Sequence, residues 1–407
     1  MQSNRIALAG IDCLVFWIFP AKDFLWRKGT GIAVVVQCLR RTWFTMKGTD
    51  RLGRARAGTM RVMIGLLVCA GATAVAHAQT AGASTALIGS RAVAVNSQTG
   101  KVYAVDSRRG SVSVFDPRTK STTSVRVGAE PVAIAVNEAT DRIYVANNEG
   151  GSVSVIDGKS DSVLRTLQVG SLPYVVAANS TTNKIYVSNT FSDVITVIDG
   201  ATNAITTVKA GSADAIAVDA KLDKVYLLGY ENTNLTVLDK TANIIGKKQV
   251  GMHPWAMAAN EATSALYITR VGNGQLLKLD EKSGVTTAIP TGAFPCAVAV
   301  NPVTNRVYVV NHGDDTVTVV DGIKGEVVAT VEVGRLPQAV AVDAKKNRVY
   351  VANSHSDTIS VLDGDRNGVL KTIHAGKNPF AVALDANNGQ LYVVSYGEPA
   401  LSVIALE

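Results

Sequence analysis

The residues of this 407-residue chain best suited to chemistry are few, and they recur at matching places. His253, His312 and His355 are three of the four histidines beyond residue 78. Imidazole is the side chain whose ordinary pKa lets it trade a proton near neutral pH. Around these histidines stand Tyr174, Trp255, Phe294 and Phe380, with Arg335 and Lys377 as neighbouring cations. The histidines suit acid–base work or a zinc site, but zinc needs three or four convergent ligands and these three come from separate stretches of chain, so no metal is assigned. Nucleophilic hydrolysis has less support: no Gly-x-Ser-x-Gly elbow occurs beyond residue 78, and the serines mostly alternate with valine as in "SVSV", which is a strand face. Tyr and Trp join a large apolar face to a polar edge, which suits a recognition surface.

What positions these residues is an internal repeat. Tyr103, Tyr144, Tyr186, Tyr226, Tyr267, Tyr308, Tyr350 and Tyr392 are spaced 41, 42, 40, 41, 41, 42 and 42 residues apart. Seven of them are followed 13 residues later by an aspartate, from Asp116 to Asp363. Asp-Gly follows in four units and reads as hairpin chemistry, so the aspartates are read as turn residues rather than calcium ligands. Short apolar runs such as "AVAV" (297–300), "RVYVVN" (306–311), "TVTVVD" (316–321) and "EVVATVEVG" (326–334) give four strands per unit. Four-stranded units of this length must stack on their neighbours, and the closed solution is an all-β propeller with eight blades, seven being the alternative. The eighth unit ends without a fourth strand, while "STALIG" (84–89) precedes the first unit as an orphan. Pairing that orphan beside 401–406 would complete the last blade and remove two sheet edges.

Residues ahead of the repeat are of another kind. "MRVMIGLLVCAGATAVAHAQ" (60–79) has the basic start, apolar centre and Ala-x-Ala end of a secretory signal, with cleavage expected after Ala78. Its apolar run is too short for a bilayer span, so no membrane anchor is expected in the mature chain. Residues 1–59 read as a gene-model extension, 60–78 as the signal, 79–90 as linker and closing strand, and 91–407 as the propeller. A periplasmic or secreted protein follows. Residues 1–78 hold eleven of the 40 basic and three of the 33 acidic residues, which leaves 29 and 30, a net charge of −1. Nucleic acid is therefore not an expected partner. Cys296 alone of the four cysteines lies beyond the signal, so no internal disulfide can form there.

"YVAN" (144–147), "YVSN" (186–189), "YVVN" (308–311) and "YVAN" (350–353), with "VG..P.AVAV" and "V.VIDG" around them, resemble the YVTN-repeat β-propeller family over about 90–406. The resemblance implies an exported binding propeller. Eight-bladed haem d1 domains and quinoprotein dehydrogenases are similar too, but no Cys-x-x-Cys-His occurs and no cofactor is expected.

Two functional classes follow. The first is a non-catalytic binding or scaffold protein, expected to be monomeric, that recognises a protein or small ligand. The alternative is a propeller enzyme of lactonase or lyase type, possibly metal-assisted, working through rim histidines. Both put the site on the loops, because the innermost strands are small apolar walls such as "AVAV". The loop entering each first strand carries Tyr174, His253, Trp255, Phe294, Arg335, Lys377 and Phe380, and the loop between second and third strands carries His312 and His355; the two sets are expected on one rim.

Overall fold

The structure is a computed structural model describing residues 47–49, 55–57, 87–88, 92–231, 233–396 and 401–406, so the expected signal at 60–78 lies outside the described residues. The chain divides into two units, Met1–Val68 and Cys69–Glu407. In the first, Lys47–Thr49 pairs antiparallel with Ala55–Ala57.

The second unit is an all-β ring of eight blades, each an antiparallel meander numbered here in chain order. Their innermost strands are Val93–Val95, Pro131–Asn137, Pro173–Asn179, Ala215–Asp219, Pro254–Asn260, Pro295–Asn301, Pro337–Asp343 and Pro379–Asp385. Each lies against the innermost strand of the next blade, and the eighth lies against the first. Alanine at alternate positions of these strands lets neighbouring sheets approach closely. The repeated tyrosine of the second strand then fills the space between blades: Tyr267 packs with Val298 and Val307 of blade six, and Tyr308 with Val340 and Val349 of blade seven. Each such buried ring contributes about 1.5–3 kcal/mol relative to an exposed one. The core is therefore a set of seams between sheets. Outermost strands such as Ser162–Gln168 are mostly exposed.

The end of the ring differs from expectation. Blade eight holds three strands among the described residues, and Leu87–Ile88, the described part of 84–89, does not pair with Ser402–Ala405. Leu87–Ile88 pairs instead with Val218 and Ala217 of the innermost strand of blade four. That inner edge is buried, whereas Ser402–Ala405 at the outer edge of blade eight alternates between half-buried and exposed. Closure rests on side chains: Ala92, Val93 and Val102 of blade one pack with Ala381, Ala383 and Tyr392 of blade eight.

The asparagine ending the "YVxN" strand has a specific task. Asn147 accepts the Gly128 N–H at 3.2 Å and donates to Ser152 Oγ at 3.1 Å and Ser154 Oγ at 3.0 Å. Asn311 bonds Thr316 and Thr318 in the same way, and Asn353 bonds Thr358 and Ser360. The amide thus ties the third strand to the loop arriving from the previous blade, and the glycine of "VG" is what lets that loop close on it. A Cβ on Gly128, Gly292 or Gly334 would lie 2.6, 2.8 or 2.7 Å from Asn147, Asn311 or Asn353. On the opposite rim, Asn301 caps the turn at Val303 and Thr304 and donates to Asn347 Oδ1 of the next blade at 2.8 Å. The repeated aspartates are turn caps, as expected: Asp321 Oδ1 accepts the Ile323 and Lys324 amides, and the Lys324 amide holds its carboxyl below the usual range.

One seam gathers extra carboxylates. Between blades four and five, Asp219 takes an asparagine position, as Asp343 and Asp385 do in blades seven and eight, Glu281 takes a turn-glycine position, and Tyr226 Oη donates to Glu281 at 2.5 Å. Burial, reinforced by the Asp219 charge, pushes the Glu261 carboxyl up to about 7.

Two tests follow. Gly334→Ala should destabilise the domain by about 1–3 kcal/mol in denaturant unfolding, and by clearly less when Asn353→Ala is also present; equal costs in both backgrounds would rule out the contact as the cause. Glu261 has a folded pKa above its unfolded value, so its stabilising effect is present below about pH 4.5 and lost as pH rises through about 7. The parent should therefore lose thermal stability between pH 5 and 8 more steeply than Glu261→Gln, and parallel melting profiles would contradict the assignment.

Candidate recognition rim

Backbone bonds place the two loop sets on one rim, as the sequence predicted. The residue after the "YVxN" position donates to the residue before the innermost-strand proline: Asn148 N to Glu130 O at 2.8 Å, Thr190 N to Leu172 O at 2.8 Å, His312 N to Phe294 O at 3.0 Å and Ser354 N to Leu336 O at 3.1 Å. Val271 N reaches His253 O at 3.1 Å, and Tyr396 N reaches Asn378 O at 3.0 Å.

On this rim aromatic rings run in succession across blades four, five and six. Tyr230 of blade four stacks on His253 of blade five with centroids 4.9 Å apart, and meets Trp255 edge-on at 5.7 Å. Trp255 lies 6.0 Å from Phe294 of blade six, and Phe294 lies 5.8 Å from His312. His312 Nδ1 then faces the Pro337 carbonyl of blade seven at 3.1 Å. Such spacings are those of favourable tilted and edge-to-face pairs. A carbonyl partner requires Nδ1 to carry the proton. Burial lowers the His312 pKa, against the opposing pull of the Pro337 carbonyl and Asp315, so the ring is neutral at neutral pH.

Of the sequence-predicted residues, His253, Trp255, Phe294 and His312 come together in this ladder. Phe380 stands apart, stacked on Tyr396 at 4.0 Å within blade eight. Tyr174 packs against the core between blades three and four. Arg335, His355 and Lys377 are exposed on the loops of blades seven and eight. Tyr230, Tyr396 and Phe191 are rim residues that the sequence reading missed. Aligning the units at the residue after the "YVxN" position would have shown Tyr230, His312 and Tyr396 in one column.

Left-handed backbone occurs on both rims, with bulky residues on one of them. Left-handed residues on the far rim are mostly Asn or Asp, among them Asp141, Asn183, Asn305 and Asn347. On the ladder rim bulky residues hold this conformation: Leu172 (φ 53°), Phe191 (59°), His253 (53°), Phe294 (50°) and Leu336 (47°). For a residue with a Cβ this costs roughly 1–2 kcal/mol, and such strain concentrates at functional positions. Phe191 is 83% exposed, so packing returns little of it.

The rim carboxylates hold loops. Asp214 accepts the Tyr230 amide at 2.7 Å, Asp314 that of Ala293, Asp315 that of Leu336 at 2.7 Å, and Asp357 that of Asn378 at 2.8 Å. Among the described residues, no group of three or more His, Cys, Asp and Glu is arranged to hold a metal ion.

The fold and this rim define a β-propeller with an aromatic, loop-built face. Residues 72–383 match the lactonase family described as a seven-bladed β-propeller, and the chain belongs to that family, here with eight blades. The YVTN resemblance is met at the level of the propeller fold. No curated protein sequence matches the chain significantly. Among solved structures it is similar to Kuenenia stuttgartiensis hydrazine synthase, at 17% identity and a TM-score of 0.53, over 75% of this chain and 93% of that one. It is also similar to the dihydro-heme d1 dehydrogenase NirN in complex with DHE, at 13% identity and a TM-score of 0.58, over 70% of this chain and 65% of that one. At such identities the likeness is one of fold.

The strain has a measurable consequence. Phe191→Asn should raise stability by about 1 kcal/mol, because asparagine tolerates the left-handed region and an exposed ring contributes little. A lower melting temperature for the variant would show instead that Phe191 is held by packing.

Proposed function

We propose that this chain is an exported binding propeller that recognises a protein or small ligand through the ladder rim, with Trp255 at its centre. The observation that carries this reading is the unbroken run of rings from Tyr230 to His312 across three blades, on loops held in a costly backbone conformation. A packing role alone would be met by the small residues that the repeat uses elsewhere. Export, to the periplasm or beyond the cell, rests on the signal at 60–78.

Family membership favours a second reading, hydrolysis of a lactone. Against it stands the use of Asp214, Asp314, Asp315 and Asp357 as acceptors for backbone amides, which supports a scaffold role for those carboxylates.

The test is capture of a partner from envelope extract, followed by comparison of Trp255→Ala with Lys184→Ala at the start of a second strand. A central aromatic anchor costs about 2 kcal/mol when truncated, so Trp255→Ala should weaken binding on the order of thirtyfold while Lys184→Ala leaves it unchanged. Equal binding by both variants would move recognition off this rim, and lactone turnover abolished by His312→Ala would support the enzyme instead.

A further inference from the structure

Arg270 ends the second strand of blade five, where blades two, three, six and seven place asparagine. The exchange is not a neutral one. Elsewhere the amide at this position satisfies itself on the third strand and on the incoming loop, as Asn147 does with Ser152, Ser154 and Gly128. Arg270 has five donors and no acceptor, and its Nε is buried with no hydrogen-bond partner. No carboxylate forms an ion pair with it among the described residues.

Its position is as informative as its lack of a partner. Arg270 lies directly across the sheet from Pro254, the residue between His253 and Trp255. Its guanidinium sits against Gly251 of the same loop, where an added Cβ would lie 2.7 Å from Nη2. The next residue, Val271, donates its amide to His253 O. A planar cation with an unmet donor thus stands at the loop that presents two rings of the ladder. Guanidinium pairs with oxyanions in a planar, forked geometry, and rings of this kind take a flat body by stacking.

Resting on the rim reading above, we infer that the rim takes a ligand with a planar, unsaturated body and one oxyanion group, the body lying on the ladder at Trp255 and the anion meeting Arg270. A partly buried guanidinium without a counter-charge is costly to keep, and an incoming oxyanion that meets its terminal nitrogens supplies that charge.

Isothermal titration calorimetry on the full chain tests this with three probes: 2-naphthoate, 2-naphthyl phosphate and the uncharged 2-naphthalenemethanol. The parent should bind at least one of the anions tenfold or more tightly than the alcohol, and the preferred anion distinguishes carboxylate from phosphate. Arg270→Asn, which restores the residue of the neighbouring blades, should remove that advantage and leave alcohol binding unchanged; Arg270→Lys, a smaller change, should retain part of it. Equal affinity of the parent for anions and alcohol, or an anion preference intact in Arg270→Asn, would overturn the anion assignment while leaving the rim reading standing. Failure of all three probes to bind would overturn this ligand class too, and the Trp255→Ala comparison then decides the rim reading separately.

Discussion

A glycine lying on the flank of an asparagine side chain sets the position of the rim loops in four of the blades. The loop from the preceding blade can descend onto the sheet only because Gly128, Gly292 and Gly334 have no Cβ to strike Asn147, Asn311 and Asn353, and Gly170 meets Asn189 in the same way. Once there, the loop is held by the asparagine and by the carbonyl of a left-handed residue two positions on. The innermost strand then starts at its proline with a fixed direction, and in blade six Phe294, just before that proline, is aimed without a ligand present; in blade five Arg270 stands against Gly251 in place of the asparagine. Affinity gains from this, since little of the binding energy goes into ordering loops.

The same contact explains why the two rims differ although one repeat builds both. The far rim meets most of its left-handed positions with Asn and Asp, and Asn at this rim also caps turns and links blades, as Asn301 does to Asn347. On the ladder rim the conformation is imposed by the loop's descent, and the side chain is left free to serve another purpose. Leu, Phe and His stand there despite the cost.

Much of the architecture was legible in the sequence because it is written eight times. The tyrosine spacing, the turn aspartates and the four strands per unit each recur, so chance at one copy is corrected by the others. The closing strand was misread because it occurs once: "STALIG" matches an outer strand by pattern, and nothing in its residues distinguishes the edge of blade eight from the inner edge of blade four. For the site, His253, Trp255, Phe294 and His312 were visible as large residues in variable loop columns. Tyr230 sits in the same column as His312 and Phe191 one residue past it, and Arg270 was hidden in a position read as strand end. Phe380, Arg335, His355 and Lys377 share the rim yet not the ladder, because equivalent positions in a ring lie on different blades.

The joint between blades eight and one is apolar, like most of the others. Tyr392 lies 5.9 Å from Phe115, and the alanines and valines of the two innermost strands interleave as they do at every seam. No strand is shared across it among the described residues. A ring whose joints are interchangeable carries no fixed copy number in any one of them. Duplication or loss of a whole unit by unequal recombination would yield another closed ring, needing only a small change in the angle between neighbouring sheets. The family description names seven blades and this chain has eight, a difference that such a joint can absorb without new contacts being invented.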